Sequence, residues 1–393
     1  MTTPTTARTR RHHIVSAVST AALLLALAAC GGDGDAGADQ ASSCALPSGA
    51  VTAENNCKFD GETITVSVTP GGLADGARAG LGQLFESTTG AKIEWVEQGP
   101  DEILTQLLAA RGGTPPVDVV LDMYVPTLYN AARDEVFAKV DRSRIPNVGD
   151  VTPSAYAVPD LGPAGYVWVV GACVNESRLG ELGVAGLNRF EDWFDPRLGA
   201  VAFPQPTNSR WNLTMSALAA HYGAPLDNPS IVIDQLKKLP GLKLYGATSE
   251  ADDMVQSGEV SAAISSDGRC NGLAKSGAPV RFAPLNLSAG SATYTYIQAA
   301  TGPQIVAGTK KTAMAEALIN TLFSPDGKAM LPLTTKLIYS PTKPSIATAM
   351  KQDPAVAQYV LTDFTTLYSD PDFVAQFMRQ RQVWVDAWNR AFH

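Results

Sequence analysis

The hydrophobic and polar positions of the chain alternate between the period of two that is typical of strands and the period of about 3.6 that is typical of helices. The period of two over 63–68 falls on β-branched residues and predicts a strand. Leu81, Leu84 and Phe85 share one helical face, which predicts a helix over 77–87. A strand over 91–97, a helix over 101–111 and a buried strand over 117–121 follow. This β-α-β-α-β order predicts a mostly parallel sheet with helices on both faces.

A second set of such elements follows residue 195. It comprises strands over 199–203 and 260–265 and helices over 212–221 and 313–323. Between the sets, the extended apolar run over 165–174 is typical of a strand that crosses from one set to the other. This order predicts an α/β fold of two lobes joined by crossing strands around a cleft. The length of 393 residues agrees, because it exceeds that of one ordinary domain.

Charge and composition restrict the partners. The chain has 30 Lys and Arg residues against 38 Asp and Glu residues, a formal net charge of -8. An acidic protein is poorly suited to neutralising phosphates, so we do not expect nucleic acid as a partner. With 45% hydrophobic residues, wholesale disorder is excluded as well.

The amino terminus predicts export. Arg8, Arg10 and Arg11 precede an apolar stretch over 14–29, which is shorter than the ~20 residues that span a bilayer as a helix. This pattern predicts a signal peptide over 1–29, with the Sec and twin-arginine routes both open. The stretch ends in Leu-Ala-Ala before Cys30 and resembles the lipobox of bacterial lipoproteins, which implies that Cys30 carries the lipid anchor. The small, polar residues over 30–60 predict a flexible tether.

Cysteine usage agrees with an exported protein. The chain has five cysteines, and lipidation of Cys30 leaves Cys44, Cys57, Cys173 and Cys270. An even number in an oxidising compartment predicts two disulfides, a local Cys44–Cys57 pair and a distant Cys173–Cys270 pair. No C-x-x-C spacing or neighbouring His cluster indicates zinc, so we expect no structural metal.

Several phrases of the sequence, in order, resemble one known family. They are 85–94 (FESTTGAKIE), 112–120 (GGTPPVDVV), 189–204 (RFEDWFDPRLGAVAFP), 277–280 (GAPV) and 317–325 (ALINTLFSP). The chain departs from the family at Gly199-Ala-Val, where K-G-x-V is usual. Together with the lipobox, these phrases resemble the extracellular solute-binding proteins of ABC importers, in the branch of spermidine/putrescine and ferric-iron binders.

The resemblance implies a type 2 periplasmic-binding fold that closes on a solute about two crossings, near 166–174 and 292–300. The expected lobes are 61–167 with 292–330 and 168–291 with 331–393. We expect a monomeric, non-enzymatic receptor without cofactor, anchored by lipid to the outer face of the cell membrane. Its expected partners are a small-molecule ligand and an ABC permease in that membrane.

In open α/β sheets, ligands lie beyond the carboxyl ends of the strands, where loops and helix N-termini converge. Carboxylates beside aromatic faces at such loops would bind an alkylammonium group, so the best interpretation is a polyamine-like cation. The candidate ligand-binding residues are Gly71, Gly72, Asp122, Tyr124, Ser209, Trp211, Ser266, Asp267, Arg269, Tyr294 and Tyr296.

Three alternatives stay open. Polyamine binders of this family carry an acid after an aromatic residue on the returning crossing strand, whereas 294–298 has none, and Arg210 and Arg269 accompany the candidate carboxylates. These arginines favour a carboxylate- or phosphonate-bearing solute. Tyr294 and Tyr296 would share one strand face and keep ferric iron open. A secreted hydrolase is the alternative from another class, but G-x-S-x-G and H-E-x-x-H are absent and His221 is the one internal histidine after the signal peptide.

Overall fold

The computed structural model of the protein describes residues 44–133, 135–152, 158 and 160–392. The predicted signal peptide, Cys30 and the first part of the predicted tether lie outside these residues. None of the helices in the described part of the chain is long and apolar enough to cross a membrane.

Strands and helices alternate along most of the described chain. The strands are β1 (Thr63–Val68), β2 (Lys92–Glu97), β3 (Val119–Tyr124), β4 (Tyr166–Asn175), β5 (Val201–Pro204), β6 (Lys243–Tyr245), β7 (Ala262–Ser266), β8 (Val280–Ala283), β9 (Leu287–Ala289), β10 (Ala292–Tyr294), β11 (Tyr296–Ile305), β12 (Ser340–Pro341) and β13 (Leu367–Tyr368).

The helices are α1 (Gly72–Ala77), α2 (Gln83–Thr89), α3 (Pro100–Ala109), α4 (Val125–Arg133), α5 (Glu176–Glu181), α6 (Ser209–Tyr222), α7 (Ser230–Leu236), α8 (Thr248–Gln256), α9 (Asp267–Lys275), α10 (Thr312–Leu322), α11 (Leu331–Leu337), α12 (Pro344–Met350) and α13 (Pro371–Phe392). A π-helical segment, Arg78–Gly82, joins α1 to α2. Short 3-10 helices lie at Arg142–Arg144, Pro146–Val148, Phe190–Phe194, Pro196–Leu198 and Ala357–Tyr359.

Eleven of these strands form one large mixed sheet with the main order β2-β1-β3-β11-β4-β7-β5-β6. In the same sheet, β8 and β12 pair with β4, and β13 pairs with β11, whereas β9 and β10 form a separate two-stranded sheet. Pairing is parallel at both ends, where β1 pairs with β2 and β3, and β5 pairs with β6 and β7. The two long strands β4 and β11 lie in the middle and pair antiparallel with each other and with their outer neighbours. The sheet therefore consists of two parallel halves joined by a pair of long strands.

Each half has its own hydrophobic core, and β4 and β11 contribute to both. On β4, Val169 packs in the first core and Val170 in the second. On β11, Ala300 belongs to the first core and Ala299 to the second. The crossing strands thus pass from one core to the other within one residue, which confirms the predicted two-lobed α/β fold class.

Three predicted boundaries differ from the structure by three residues or more. Helix α1 begins at residue 72 instead of 77, directly after Gly71, whose φ of 83° favours glycine. Strand β3 extends to Tyr124, although the sequence pattern places residues 122–124 in a loop, because Tyr124 pairs with Thr301 of β11. Helix α6 begins at Ser209 instead of 212, since the Asn208 side chain accepts a hydrogen bond from the Arg210 N–H at 3.1 Å.

The predicted tether over 30–60 ends earlier in the structure. Val51, Cys57 and Phe59 are buried, and the Val51 N–H donates to the hydroxyl of Ser324 at 3.2 Å. The sequence shows no periodicity here because single side chains, separated by polar residues, enter the core without forming a helix or strand. Residues 44–60 are therefore part of the folded body.

Both predicted disulfides are present. Cys44 is joined to Cys57, and Cys173 of β4 is joined to Cys270 of α9. The first bond attaches the beginning of the described chain to the first core, to which Cys57 belongs. The second links a crossing strand to a helix of the second half.

The carboxyl-terminal part of the chain returns to both cores. Phe377, Trp384 and Trp388 of α13 are buried in the second core, as the apolar stripe of this segment indicates. Leu333 of α11 and Ile346 of α12 pack in the first core. The segment around α11 and α12 therefore lies with the first half of the sheet, whereas the predicted lobe division places 331–393 in the second.

Candidate functional site

A pocket of about 660 Å³ lies where the two halves of the sheet meet. One side is formed by the carboxyl ends of β1 and β3 with the start of α3, and the other by the starts of α6, α8 and α9. The crossing strands form its floor. Its polar and aromatic lining residues are Thr69, Asp101, Glu102, Asp122, Tyr124, Tyr166, Trp168, Thr207, Asn208, Ser209, Arg210, Thr248, Arg269, Thr301 and Tyr339.

Asp122, at the end of β3, is a buried carboxylate on the first side. Its oxygens accept hydrogen bonds from the Thr69 N–H at 3.3 Å and from the Thr69 hydroxyl. Burial raises the pKa of Asp122 to about 6, although the hydrogen bonds from Thr69 oppose this shift. The carboxyl can therefore change its charge close to neutral pH.

Asp101 lies in the first turn of α3, on the same side of the pocket. Its carboxylate accepts hydrogen bonds from the hydroxyl of Thr127 at 2.9 Å and from that of Tyr124 at 3.4 Å. Burial, reinforced by the charge of Asp101, raises the pKa of Tyr124, so this phenol stays protonated. Together with Glu102, these contacts make the first side acidic, and we call Asp101, Glu102 and Asp122 the acidic wall.

The floor of the pocket is aromatic. Trp168 of β4 donates from its indole N–H to the Thr301 hydroxyl at 3.0 Å, and its ring lies 6.5 Å from that of Tyr124. Tyr166 stacks on Tyr339 with a centroid distance of 5.4 Å and an interplanar angle of 14°. These rings present an apolar surface between the two sides of the pocket.

Arg210, the second residue of α6, lies on the opposite side and is 8% exposed. Its guanidinium donates to the hydroxyls of Thr248 at 2.6 Å and Ser266 at 2.9 Å. The Nε–H has no acceptor among the described residues, and none of their carboxylates forms an ion pair with this guanidinium. The guanidinium carbon lies 5.7 Å from the centroid of the Trp168 ring. Arg210 is thus a buried positive charge with unused donors at the pocket.

Arg269 of α9 is the second base on this side, and we call Arg210 and Arg269 the basic wall. Arg269 forms an ion pair with Asp252 of α8, while its own side chain stays partly exposed. Burial raises the pKa of Asp252, and the charge of Arg269 opposes this shift. Asp267 does not pair with Arg269; it points inward and accepts a hydrogen bond from the Val169 N–H at 3.2 Å.

The N-terminus of α8 is already neutralised. The carboxylate of Glu250 accepts hydrogen bonds from the N–H groups of Gly246 and Ala247, at 2.8 and 3.1 Å. The Asn208 side-chain amide donates to the carbonyl of Gly246 at 2.9 Å and so holds the starts of α6 and α8 together. Free positive potential at this side therefore comes from Arg210 and the first turn of α6.

The structure brings five predicted site residues to the pocket: Gly72, Asp122, Tyr124, Ser209 and Arg269. Ser266 lies behind it as an acceptor for Arg210. Gly71 and Asp267 adjoin the pocket without lining it. Trp211 is fully buried in the second core against Trp388, because one residue beyond Arg210 turns the side chain by ~100° about the helix axis.

Tyr294 and Tyr296 lie away from the pocket. Tyr294 packs edge-on against Tyr368, with ring centroids 5.5 Å apart, and Tyr296 stacks on Phe282 at 5.1 Å. His221, the candidate base of the alternative hydrolase, lies in the last turn of α6 and accepts a hydrogen bond from the Ser288 N–H at 3.0 Å. Within the described residues, no three His, Cys, Asp or Glu side chains are placed to hold a metal ion together.

The candidate residues predicted from the sequence do not include the floor or all of the acidic wall. Tyr166 and Trp168 are two residues apart on β4, so they share one strand face, and an aromatic pair at this spacing on a crossing strand was an available signal. For Asp101, the sequence pattern predicts only the start of a helix. Tyr339 carries no local signal, because its place in the pocket follows from the return of the chain after α11.

A second pocket of about 770 Å³ lies at the opposite edge of the first half, beside the amino ends of β1 and β3. The carboxylate of Asp118 is a buried charged group in its lining. It accepts hydrogen bonds from the Thr65 N–H at 2.9 Å, the Thr309 hydroxyl at 2.6 Å and Lys311 at 3.2 Å. These donors account for the Asp118 charge within the protein itself.

Residues 81–358 match the family model of bacterial extracellular solute-binding proteins. The chain belongs to this family. It is therefore an extracellular solute-binding protein. None of the curated proteins matches the chain in sequence.

Solved structures of such solute-binding proteins share the fold. An ABC transporter structure from Clostridium perfringens is 23% identical, with a TM-score of 0.66, and covers 84% of this chain and 100% of its own. Iron-bound HitA from Pseudomonas aeruginosa is 16% identical, with a TM-score of 0.66 and coverage of 83% and 99%. AfuA from Actinobacillus pleuropneumoniae, with fructose-6-phosphate bound, is 17% identical, with a TM-score of 0.63 and coverage of 84% and 98%.

Proposed function

We propose that this solute-binding protein captures a small solute with an anionic group, a carboxylate or a phosphate-like group, and delivers it to an ABC permease. The observation that carries this proposal is Arg210. Its buried guanidinium has an Nε–H without an acceptor and no carboxylate partner among the described residues. An anion from the solute would supply both the acceptor and the countercharge.

The surroundings of Arg210 support this choice of ligand group. The hydroxyls of Thr248 and Ser266 fix the guanidinium plane, so its remaining donors are oriented before the solute arrives. The first turn of the 14-residue helix α6 adds the positive end of its dipole at the same place. AfuA, which shares the fold, holds a phosphorylated sugar in its own structure.

A polyamine-like cation is the second candidate, and the acidic wall favours it. Asp101, Glu102 and Asp122 line the pocket beside Tyr124 and Trp168, a set suited to an ammonium group. Two residues expected for such a ligand, Trp211 and Asp267, do not line the pocket. Ferric iron, as in HitA, has less support because Tyr294 and Tyr296 pack elsewhere.

Calorimetry with the mature protein tests the ligand class. The panel contains short carboxylates, phosphonates, sugar phosphates, putrescine, spermidine and ferric citrate. We expect an anion-bearing compound to bind and Arg210→Gln to weaken it at least tenfold, by loss of a charge-assisted pair. Arg197→Gln is the matched control, because Arg197 forms a surface ion pair with Asp195. Tight binding of putrescine that is unchanged in Arg210→Gln would replace this proposal with the polyamine.

Solute capture requires that two lobes move about the crossing strands. We propose that the first lobe comprises 61–167 and 292–330, and that the second lobe comprises 168–291 and 371–393. Because Leu333 and Ile346 pack in the first core, we assign 331–350 to the first lobe. We expect the radius of gyration measured by X-ray scattering to fall when a ligand found by calorimetry is added. An unchanged scattering curve would contradict closure.

We further propose that the protein is exported and lipid-anchored through Cys30, as a monomer without enzymatic activity. The basic start, the short apolar stretch and the residues before Cys30 support this part. Cys30→Ser should move the protein from the membrane fraction to the soluble exported fraction. A mutant that stays with the membrane like wild type would contradict lipid anchoring.

A further inference from the structure

The charged residues of the cleft are sorted by wall. Among the described lining residues, the acids are Asp101, Glu102 and Asp122, and all three belong to the side of β3 and α3. The bases are Arg210 and Arg269, and both belong to the side of α6 and α9. The aromatic floor separates the two groups. The pocket therefore presents opposite charges at its two ends.

We infer that the cleft is selective for a zwitterionic solute that carries an ammonium group at one end and a carboxylate at the other. The carboxylate binds Arg210, and the ammonium group binds the acidic wall near Asp122 and Asp101. This inference rests on the proposed function and adds the second charge of the solute, together with the direction in which the solute lies.

The two walls do not neutralise each other. Arg269 forms its ion pair with Asp252, and Arg210 has no carboxylate partner among the described residues. Asp267, which lies within electrostatic reach of Arg210, makes its hydrogen bond to Val169 instead. When the cleft closes and water leaves, an unpaired charge on either wall is strongly unfavourable unless the solute compensates it. A solute with both charges compensates both walls.

The space between the walls fits an apolar spacer. The phenol of Tyr339 lies within electrostatic reach of both walls, since the charges of Arg210 and Arg269 lower its pKa while those of Asp267 and Asp122 raise it. Burial is the largest influence and raises this pKa to about 12, so the phenol remains neutral. Tyr339, stacked on Tyr166, and Trp168 thus line the middle of the pocket with uncharged rings. A short chain of methylene groups would lie against them.

The same arrangement rejects solutes with two like charges. A diamine would place its second ammonium group against Arg210, and a dicarboxylate would place its second carboxylate against Asp101 and Asp122. Each would leave a like-charge contact in a site of reduced dielectric constant. The separation of acidic and basic residues on opposite walls therefore discriminates against diamines and dicarboxylates without any steric barrier.

Calorimetry with a matched series tests the inference. The probes are linear ω-aminocarboxylates of three to seven carbons, with the monocarboxylate, alkylamine, diamine and dicarboxylate of each length. We expect one or more aminocarboxylates to bind at least tenfold tighter than every other compound of the same length. In the double variant Asp101→Asn with Asp122→Asn, this preference over the monocarboxylate should fall below threefold while monocarboxylate binding persists.

Controls separate binding from folding. Asp227→Asn, at an exposed loop outside the pocket, should keep the full preference. If the double variant melts far below wild type, Asp101→Asn alone serves, because Asp101 is exposed and its loss removes one charge of the same wall.

Different outcomes test the zwitterionic solute and the anion-binding function separately. If a monocarboxylate binds as tightly as every aminocarboxylate and depends on Arg210, the zwitterion is wrong and the proposed function stands. If a diamine binds tightest, both are wrong. If no aminocarboxylate exceeds its partners of equal length, the inference is overturned.

Discussion

Asp267 accepts a hydrogen bond from the backbone N–H of Val169 at the point where β4 passes from the first core to the second. Its other carboxylate oxygen is buried without a partner among the described residues. Arg210, Tyr296 and Tyr339 face it from three neighbouring segments. A buried carboxyl therefore holds the second lobe's helix α9 to the first crossing strand.

The first prediction concerns the pH dependence of stability. Burial raises the pKa of Asp267 to about 7, above the ~3.9 of an unfolded chain. The folded protein then binds the proton more strongly, so the free energy of unfolding falls as pH rises from about 4 to 7. The Asp267→Asn variant lacks this carboxyl, so its free energy of unfolding does not fall in this way as pH rises. We expect its stability relative to wild type to rise by roughly 2–4 kcal/mol over that range, measured by urea unfolding.

Two comparisons make this test specific. Asp227→Asn, at an exposed loop, should show no such change with pH. An Asp267→Asn variant whose difference from wild type is constant between pH 4 and pH 8 would show that the carboxyl is equally charged in both states.

The second prediction uses two glycines of α9. A Cβ at Gly268 would lie 2.2 Å from the Leu337 carbonyl oxygen and 2.7 Å from the Tyr339 ring, whereas a Cβ at Gly272 meets nothing within 4 Å. Gly268→Ala should therefore destabilise the protein by about 1–3 kcal/mol. Gly272→Ala should stabilise it by up to ~1 kcal/mol, since alanine favours helix. Denaturant unfolding measures the stability of both variants. Equal changes in the free energy of unfolding would argue against the close packing of α9 on Tyr339.

The third prediction separates two tryptophans. Trp211 is fully buried in the second core, so Trp211→Ala should cost about 3–5 kcal/mol of stability. Trp168 lines the pocket under Arg210, so Trp168→Ala should weaken solute binding at least tenfold, with a smaller loss of stability. Chemical unfolding and calorimetry on both variants measure the two effects. If the Trp211→Ala protein has normal stability but no longer binds solute, Trp211 contacts the solute and this prediction is wrong.

The fourth prediction compares the disulfides. The Cys173–Cys270 bond closes a loop with a sequence separation of 97, and the Cys44–Cys57 bond one of 13. By loop entropy alone, replacing the pairs by serine costs about 4–5 and about 3 kcal/mol, respectively. Each double variant is compared with wild type by urea unfolding under oxidising conditions. A larger loss for the shorter loop would mean that local packing outweighs chain entropy.

Much of the fold follows from local patterns. The strand predicted over 63–68 has the same bounds in β1, and the predicted crossing strand is displaced from β4 by a single residue. The period of hydrophobic residues determines these elements. Strand β3 was predicted too short because its last residues are held by β11, which is distant in sequence. Pairing of this kind has no local signature.

The site was predicted in part for the same reason. Loops after predicted strands identified Asp122 and Ser209, because the carboxyl ends of parallel strands meet at one edge. The choice between Arg210 and Trp211, which are adjacent on α6, needed the true start of the helix and its rotation. Tyr339 needed the packing of α11 against the first core. Which wall is acidic and which is basic becomes clear only when these residues are placed in the folded chain.

Strand β11 has a consequence for how the chain acquires its structure. β3 lies between β1 and β11 in the sheet, so residues 119–124 lack one hydrogen-bonded neighbour until residues 296–305 are present. Neither core can be completed from the amino-terminal half of the chain during synthesis or transit. Pairing over such sequence distances is slow, because loop closure precedes the stabilising contacts. The central sheet therefore cannot be completed until residues 296–305 have been synthesised, so the native fold is acquired late in the growth of the chain.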